Sequence, residues 1–366
     1  MSSSEIKKIA PAQQMVLSIL CAHLKRNNSQ VTNADIEIWK AALDISRKQR
    51  VLLLIYDYLK NNDSNVPKEV ITELKRFYRV NAIRNLNYER ELVVISRLFR
   101  QTNIPFILLK GIGLSKFLYG DPALRPCVDI DILVRPEHDL KARKLLETVG
   151  YSSKNKLHQI QERFYRVISN ECTLYHSEHH IMLELHNKYL PKSRSSYLDI
   201  HGIWERTHTI NFGDTIIHVL SPEDLLIYLS VHSSKEFWGS LLHLYDMAAL
   251  IVNHSDLNWE IVFKRAGAFH CRRRLLFSLI LIKKVFGIPP HVVDEDTLTE
   301  LYAQEPIIGI ALKKLLISSY EPPKIWSTRL WLDLNLADRW FDRFLIIFYK
   351  GCNMLAKVMP TRSADS

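Results

Sequence analysis

Two aspartates set inside an apolar run constrain this chain more than any other feature: Val128-Asp129-Ile130-Asp131-Ile132-Leu133-Val134. A run this apolar belongs inside a sheet, and successive side chains along a strand point to opposite faces. Asp129 and Asp131 are therefore expected on one face, roughly 6.5–7 Å apart, with Val128, Ile130, Ile132 and Val134 on the other. Burying two carboxylates costs too much unless a cation pairs with them. The pattern predicts an acidic spot on one sheet face and a metal ion to neutralise it.

The flanking sequence supplies complementary pieces. Ile104 to Leu109 is a short apolar run followed by Lys110-Gly111-Ile112-Gly113 and a helical segment from Leu114 to Tyr119. A helix that starts just after a strand offers free backbone N–H groups and the positive end of its dipole, which suit phosphate oxygens. Lys110 and Arg125 add positive charge, so Lys110, Gly111, Gly113 and Arg125 are the candidate phosphate-binding residues. A third acid would complete a metal site, and the strand pattern Ile181-Met182-Leu183-Glu184-Leu185-His186 provides Glu184. Alternation puts Met182, Glu184 and His186 on one face and the aliphatic residues on the other. Magnesium prefers oxygen ligands and keeps water and substrate phosphates in its shell. Asp129, Asp131 and Glu184 are therefore the candidate catalytic and metal residues, with Glu184 or a metal-bound hydroxide expected to take the proton from an acceptor.

Around this centre the pattern is helical on both sides. Residues 10 to about 100 carry apolar positions at helical spacing, with Asn33 or Asp35 as a cap and Pro67 opening a long helix to about Gln101. Val51 to Leu59 reads as helix despite its apolar density. Glu137 to Val149 is an amphipathic helix closed by Gly150. Strands are expected at Phe164–Ile168, Thr173–His176, Ile181–His186 and Thr215–Leu220. Ser221-Pro222-Glu223-Asp224 starts a second helical region that runs to Gly287 and beyond, including an amphipathic stretch from Ala337 to Val358. The expected architecture is α+β: a helical region at 1–101, a mixed-sheet core at 102–220 and a C-terminal helical domain at 221–366.

Composition narrows the function classes. The formal net charge of +10 favours an anionic partner such as a nucleotide, a phosphorylated substrate or RNA. The short cluster Arg272-Arg273-Arg274 and the set Lys188, Lys192 and Arg194 are too sparse for a nucleic-acid groove. No apolar stretch reaches ~18 residues, so no membrane span is expected. Five scattered cysteines with no CxxC pair exclude a disulfide or zinc framework and fit a cytoplasmic protein. His176, His179, His180 and His186 lack metalloprotease or finger spacing.

The chain resembles a known family in several blocks. These are Leu109-Lys110-Gly111, Tyr119-Gly120-Asp121-Pro122, Arg125-Pro126, Asp129-Ile130-Asp131-Ile132-Leu133-Val134, Gly150-Tyr151, Glu184-Leu185-His186 and Leu220-Ser221-Pro222-Glu223-Asp224. They resemble nucleotidyltransferases of the DNA polymerase beta-type superfamily, and most closely a bacterial group of uncharacterised nucleotidyltransferases. The likeness runs from about residue 30 to 290. It implies a nucleotidyltransferase-like core in which Asp129, Asp131 and Glu184 bind magnesium, two ions in all, and Gly111 belongs to the phosphate-contacting turn. The implied reaction moves a nucleoside monophosphate from a nucleoside triphosphate to a hydroxyl or phosphate of a small-molecule, peptide or RNA acceptor, releasing pyrophosphate. The alternative is a catalytically degenerate member that binds nucleotide or another protein.

Overall fold

Helix-forming sequence fills both ends of the chain and the strands gather between them. The computed structural model describes residues 10–27, 34–62, 65–153, 171–190, 201–288, 305–316, 330, 333–344 and 346–347. The expected strand at 164–168, the basic residues 192 and 194, and most of the 337–358 stretch lie outside the described residues. At the N-terminus come α1 (Pro11–Leu24), α2 (Ile36–Lys48), α3 (Leu52–Leu59) and the 34-residue α4 (Lys68–Gln101). Pro67 sits at the N-cap of α4, where its missing N–H costs nothing. The apolar stretch from 52 is helical because all but two of its residues are buried against neighbouring helices.

Next come β1 (Phe106–Leu108), α5 (Ile112–Tyr119), β2 (Ile130–Val134), α6 (Asp139–Thr148), β3 (Tyr151–Ser153), β4 (Glu171–His176) and β5 (Ile181–His186). The short α7 (His201–Glu205) leads to the hairpin of β6 (His208–Phe212) and β7 (Thr215–Val219). The C-terminal region holds α8 (Pro222–Lys235), α9 (Leu241–Asn253), α10 (Trp259–Ala268), α11 (Arg272–Phe286) and α12 (Glu305–Leu316). Ser221 caps α8 by accepting from the Asp224 N–H. Gly287 closes α11 in the left-handed conformation that glycine adopts freely.

The seven described strands form one mixed sheet in the order β3–β4–β5–β2–β1–β7–β6. The β2–β5 and β1–β7 pairs are parallel and the other four antiparallel. Two strands without a sequence signal appear, β3 and β6; both lie at sheet edges. The aspartate strand starts at Ile130, two residues later than its apolar pattern suggests, so Val128 is 49% exposed and does not line the interior.

Alternation sorts the sheet into two environments. Phe106, Leu108, Ile130, Ile132, Val134, Leu183 and Leu185 pack with α4 and α6 in one apolar cluster. The opposite parity, Ile107 and Leu133, joins a larger cluster with α1–α3 and the C-terminal helices. Asp131 shares the parity of Leu133, so the acidic spot faces the side on which α1–α3 and the C-terminal helices pack. That larger cluster is continuous across positions 101 and 220.

Candidate functional site

The strand register brings the acids together. In the parallel β2–β5 pair Asp131 stands directly beside Glu184, and His186 pairs with Leu133. His186 Nε2 lies 3.2 Å from Asp131 Oδ1 and 3.6 Å from Glu184 Oε2. Asp129 precedes the strand at its entrance and is also buried. The register brings Glu184 beside Asp131 with His186 on the same face, while Asp129 reaches the group through the Lys110 ammonium that it shares with Asp131.

The glycine turn closes the other side. Leu109 N–H donates to Asp131 O at 2.9 Å, which continues the β1–β2 ladder to the turn. Gly111 then takes φ +73° and ψ −130°, a region that side chains do not tolerate. A Cβ there would stand 3.1 Å from Asp129 O. This turn aims Lys110 inward, with Nζ 2.9 Å from Asp131 Oδ2 and 3.3 Å from Asp129 Oδ2. Lys110, expected at phosphate, is therefore the counter-ion of the aspartates here.

The electrostatics follow from burial around one cation. Asp131 is fully buried, and burial pushes its carboxyl up to about 6, against the pull of Lys110 and His186. Burial acts the same way on Glu184, but the His186 hydrogen bond and the Lys110 charge outweigh it and hold that carboxyl below the usual range. Lys110 is raised: its own burial is overcome by Asp131, Asp129 and Glu184. Asp131 Oδ2 is buried, and the partner that meets it is the Lys110 ammonium at 2.9 Å. An oxygen so placed, beside two further carboxylates and an imidazole, fits a divalent cation. The ligand atoms of Asp131, Glu184 and His186 lie within 4.8 Å of one another.

Other expected phosphate residues sit inside the fold. Arg125 is buried and its Nε donates to Asp246 Oδ2 at 3.0 Å, while Tyr119 donates to Asp246 Oδ1 at 2.5 Å. This three-residue network ties the 120–127 loop and α5 to α9. Gly113 packs on β1, where a Cβ would come within 2.3 Å of Leu108 Cδ2. The Arg272–Arg274 cluster is structural too, since Arg274 is buried beside Asp333 and the N–H groups of Arg272 and Arg273 donate to Asp338.

Two histidines, the buried His243 and the half-buried His232, lie on the C-terminal helices within reach of the Lys110 and Arg125 charges. The rings of His232 on α8 and His243 on α9 stand edge to face with centroids 5.5 Å apart. Burial, with Arg125, Arg50 and Lys110 nearby, pushes His243 down to about 3, and His232 is lowered as well. No periodicity or spacing pointed to His243. Its nearest signal was its place one turn before Asp246. A separate cavity of about 330 Å³ lies away from the carboxylates, among His23, Asp57, Tyr119, Tyr245 and Asn253. Among the described residues no helix is long and apolar enough to cross a membrane.

Comparison with known proteins gives one assignment. The model of a family described as uncharacterised nucleotidyltransferase matches residues 36–287, which span α2 to the end of α11. No curated protein and no solved structure matches the chain.

Proposed function

Because the chain belongs to the uncharacterised nucleotidyltransferase family, we propose that it transfers a nucleoside monophosphate from a nucleoside triphosphate to a hydroxyl or phosphate acceptor, with release of pyrophosphate. The observation that carries this reading is the in-register pairing of Asp131 with Glu184, with Asp129 held to the same buried ammonium of Lys110. Asp129, Asp131 and Glu184 would hold magnesium, two ions in the full site, and His186 orients Asp131 through its hydrogen bond. When bound, the ions supply the charge that neutralises a triphosphate and its leaving pyrophosphate.

The chain's own groups then have separable tasks. Lys110 is released from the aspartates as their charge is met, and its ammonium turns to phosphate oxygens next to the Gly111 turn. Glu184, held ionised by the His186 hydrogen bond and the Lys110 charge, keeps a carboxylate ready to coordinate an ion beside Asp131. Arg125, locked to Asp246, and Gly113, packed on Leu108, hold the loop and the turn in place. The fixed positions of these groups save the entropy of assembling them at each turnover.

The test is incubation with labelled triphosphates, magnesium and panels of small-molecule, peptide and RNA acceptors. Label transfer and pyrophosphate release are expected, both lost in Asp131→Asn and Glu184→Gln. Failure of every acceptor, with no magnesium-dependent nucleotide binding, would remove the reading. One observation favours a second reading, a nucleotide-binding module without turnover: Lys110 already occupies the space between both aspartates as their shared counter-ion. Tight triphosphate binding that is insensitive to magnesium and produces no pyrophosphate would support it.

A further inference from the structure

A second cluster of ligand-type side chains lies at the other end of β4 and β5, where the hairpin between them meets α4. Glu91 of α4, His176 at the end of β4 and His179 in the hairpin turn offer ligand atoms within 4.8 Å of one another. His179 Nδ1 is 2.9 Å from Glu91 Oε2. Glu91 is buried, His176 is buried and His179 is exposed, so the cluster opens to solvent on one side.

The surroundings orient these groups as the outer shell of a metal site does. Tyr151 donates its hydroxyl to Glu91 Oε1 at 2.9 Å, which fixes the carboxylate and leaves Oε2 toward the histidines. Burial and the Glu91 charge push the Tyr151 hydroxyl up, so it remains a donor. His176 Nε2 lies 2.9 Å from the Val149 carbonyl, which fixes the hydrogen on Nε2 and leaves the lone pair on Nδ1. That lone pair accepts the His179 backbone N–H at 3.2 Å, a hydrogen bond that a bound ion would displace. Gly150 leaves room for this ring, since a Cβ there would lie 2.7 Å from His176 Nε2.

We propose that Glu91, His176 and His179 form a binding site for a borderline divalent transition-metal ion such as zinc, separate from the carboxylate pocket. Two imidazole nitrogens and one carboxylate oxygen suit zinc with a water in the fourth position, and do not suit magnesium. The His176 and His179 rings are stacked with centroids 3.9 Å apart. On binding, the exposed His179 ring rotates out of the stack so that both lone pairs meet the ion. The hydrogen between His179 Nδ1 and Glu91 moves to Nε2, which solvent can reach. The ion would staple α4 to the hairpin that carries Glu184 and His186.

The experiment uses the full chain, stripped with chelator and titrated with zinc and, in parallel, cobalt(II) for its visible absorption. The carboxylate pocket is disabled by Asp129→Asn with Asp131→Asn, so the two sites are read separately. One zinc equivalent and a cobalt spectrum are expected to persist in that double variant and to vanish on adding His179→Ala. Because His179 is exposed, that change is not expected to unfold the protein, and circular dichroism checks this. Tyr151→Phe removes only the outer hydrogen bond and should weaken zinc by about tenfold or more. A double variant that binds no zinc, or zinc binding unmoved by both His179→Ala and Tyr151→Phe, would overturn the proposal.

Discussion

Replacing Lys110 by methionine tests the electrostatics of the acidic pocket most directly. The ammonium sits 2.9 Å from Asp131 and 3.3 Å from Asp129. At an effective dielectric of about 20 these contacts amount to about 6 and about 5 kcal/mol of gross attraction. Most of that offsets the desolvation of the three ions, yet removing one partner leaves the others buried and unpaired. Such a loss costs about 3–5 kcal/mol. Methionine keeps the length and packing of the side chain, so the charge is the main quantity changed. Urea unfolding of Lys110→Met without divalent ions should show that loss. Magnesium should then restore stability, by about 2.7 kcal/mol at a hundredfold excess over its Kd. Wild type should gain less, because its own ammonium must leave before an ion enters. A variant as stable as wild type, or magnesium stabilising wild type more than the variant, would refute the idea that lysine and metal compete for these oxygens.

Three further predictions address the parts that hold the pocket. Asp246→Ala strands the buried Arg125 guanidinium and the Tyr119 hydroxyl; it should cost about 3–5 kcal/mol, read as the shift in urea midpoint. Gly111→Ala forces a side chain into the φ +73° turn against Asp129 O, and a loss of about 1–3 kcal/mol is expected by thermal unfolding, together with loss of label transfer. His243 has its folded value lowered to about 3, against about 6.5 when unfolded. Its contribution to stability is therefore present above that unfolded value and lost as pH falls from about 6.5 toward about 3. The slope is about 1.4 kcal/mol per pH unit, and His243→Gln should flatten it by one proton in urea unfolding followed between pH 4 and 6. An unchanged slope would show that His243 is protonated in the native state.

Sequence legibility differed with range. Helices were readable because their signals are local: Pro67 before α4, Ser221 before α8 and Gly287 after α11 mark ends within one turn. The edge strands β3 and β6 were not. The three residues of β3 are too short for a period, and β6 exposes most of its residues and leaves no apolar alternation. Alternation placed Glu184 and His186 on one face correctly, since it concerns a single strand. The strand start was misjudged at Val128 because an apolar residue at a strand entrance can face solvent. The target of Lys110 depends on the dihedrals of Gly111, and the partner of Arg125 lies on α9, so neither had a local sign. Glu91 joins His176 and His179 across 85 residues of chain or more, a distance at which no motif speaks.

The pairing of Asp131 with Glu184 also sets when the pocket can exist. The two acids lie on parallel neighbours, which no tight hairpin can join. The crossover between them contains α6, β3 and β4, and closing such long-range parallel pairs is the slow part of building a sheet. A chain emerging from the ribosome up to Val134 carries Asp129 and Asp131 but not their partner. The acidic pocket therefore arises late, in the step that docks β5 against β2. Divalent-ion affinity appearing during refolding would serve as a clock for that step, distinct from the earlier rise of helical signal.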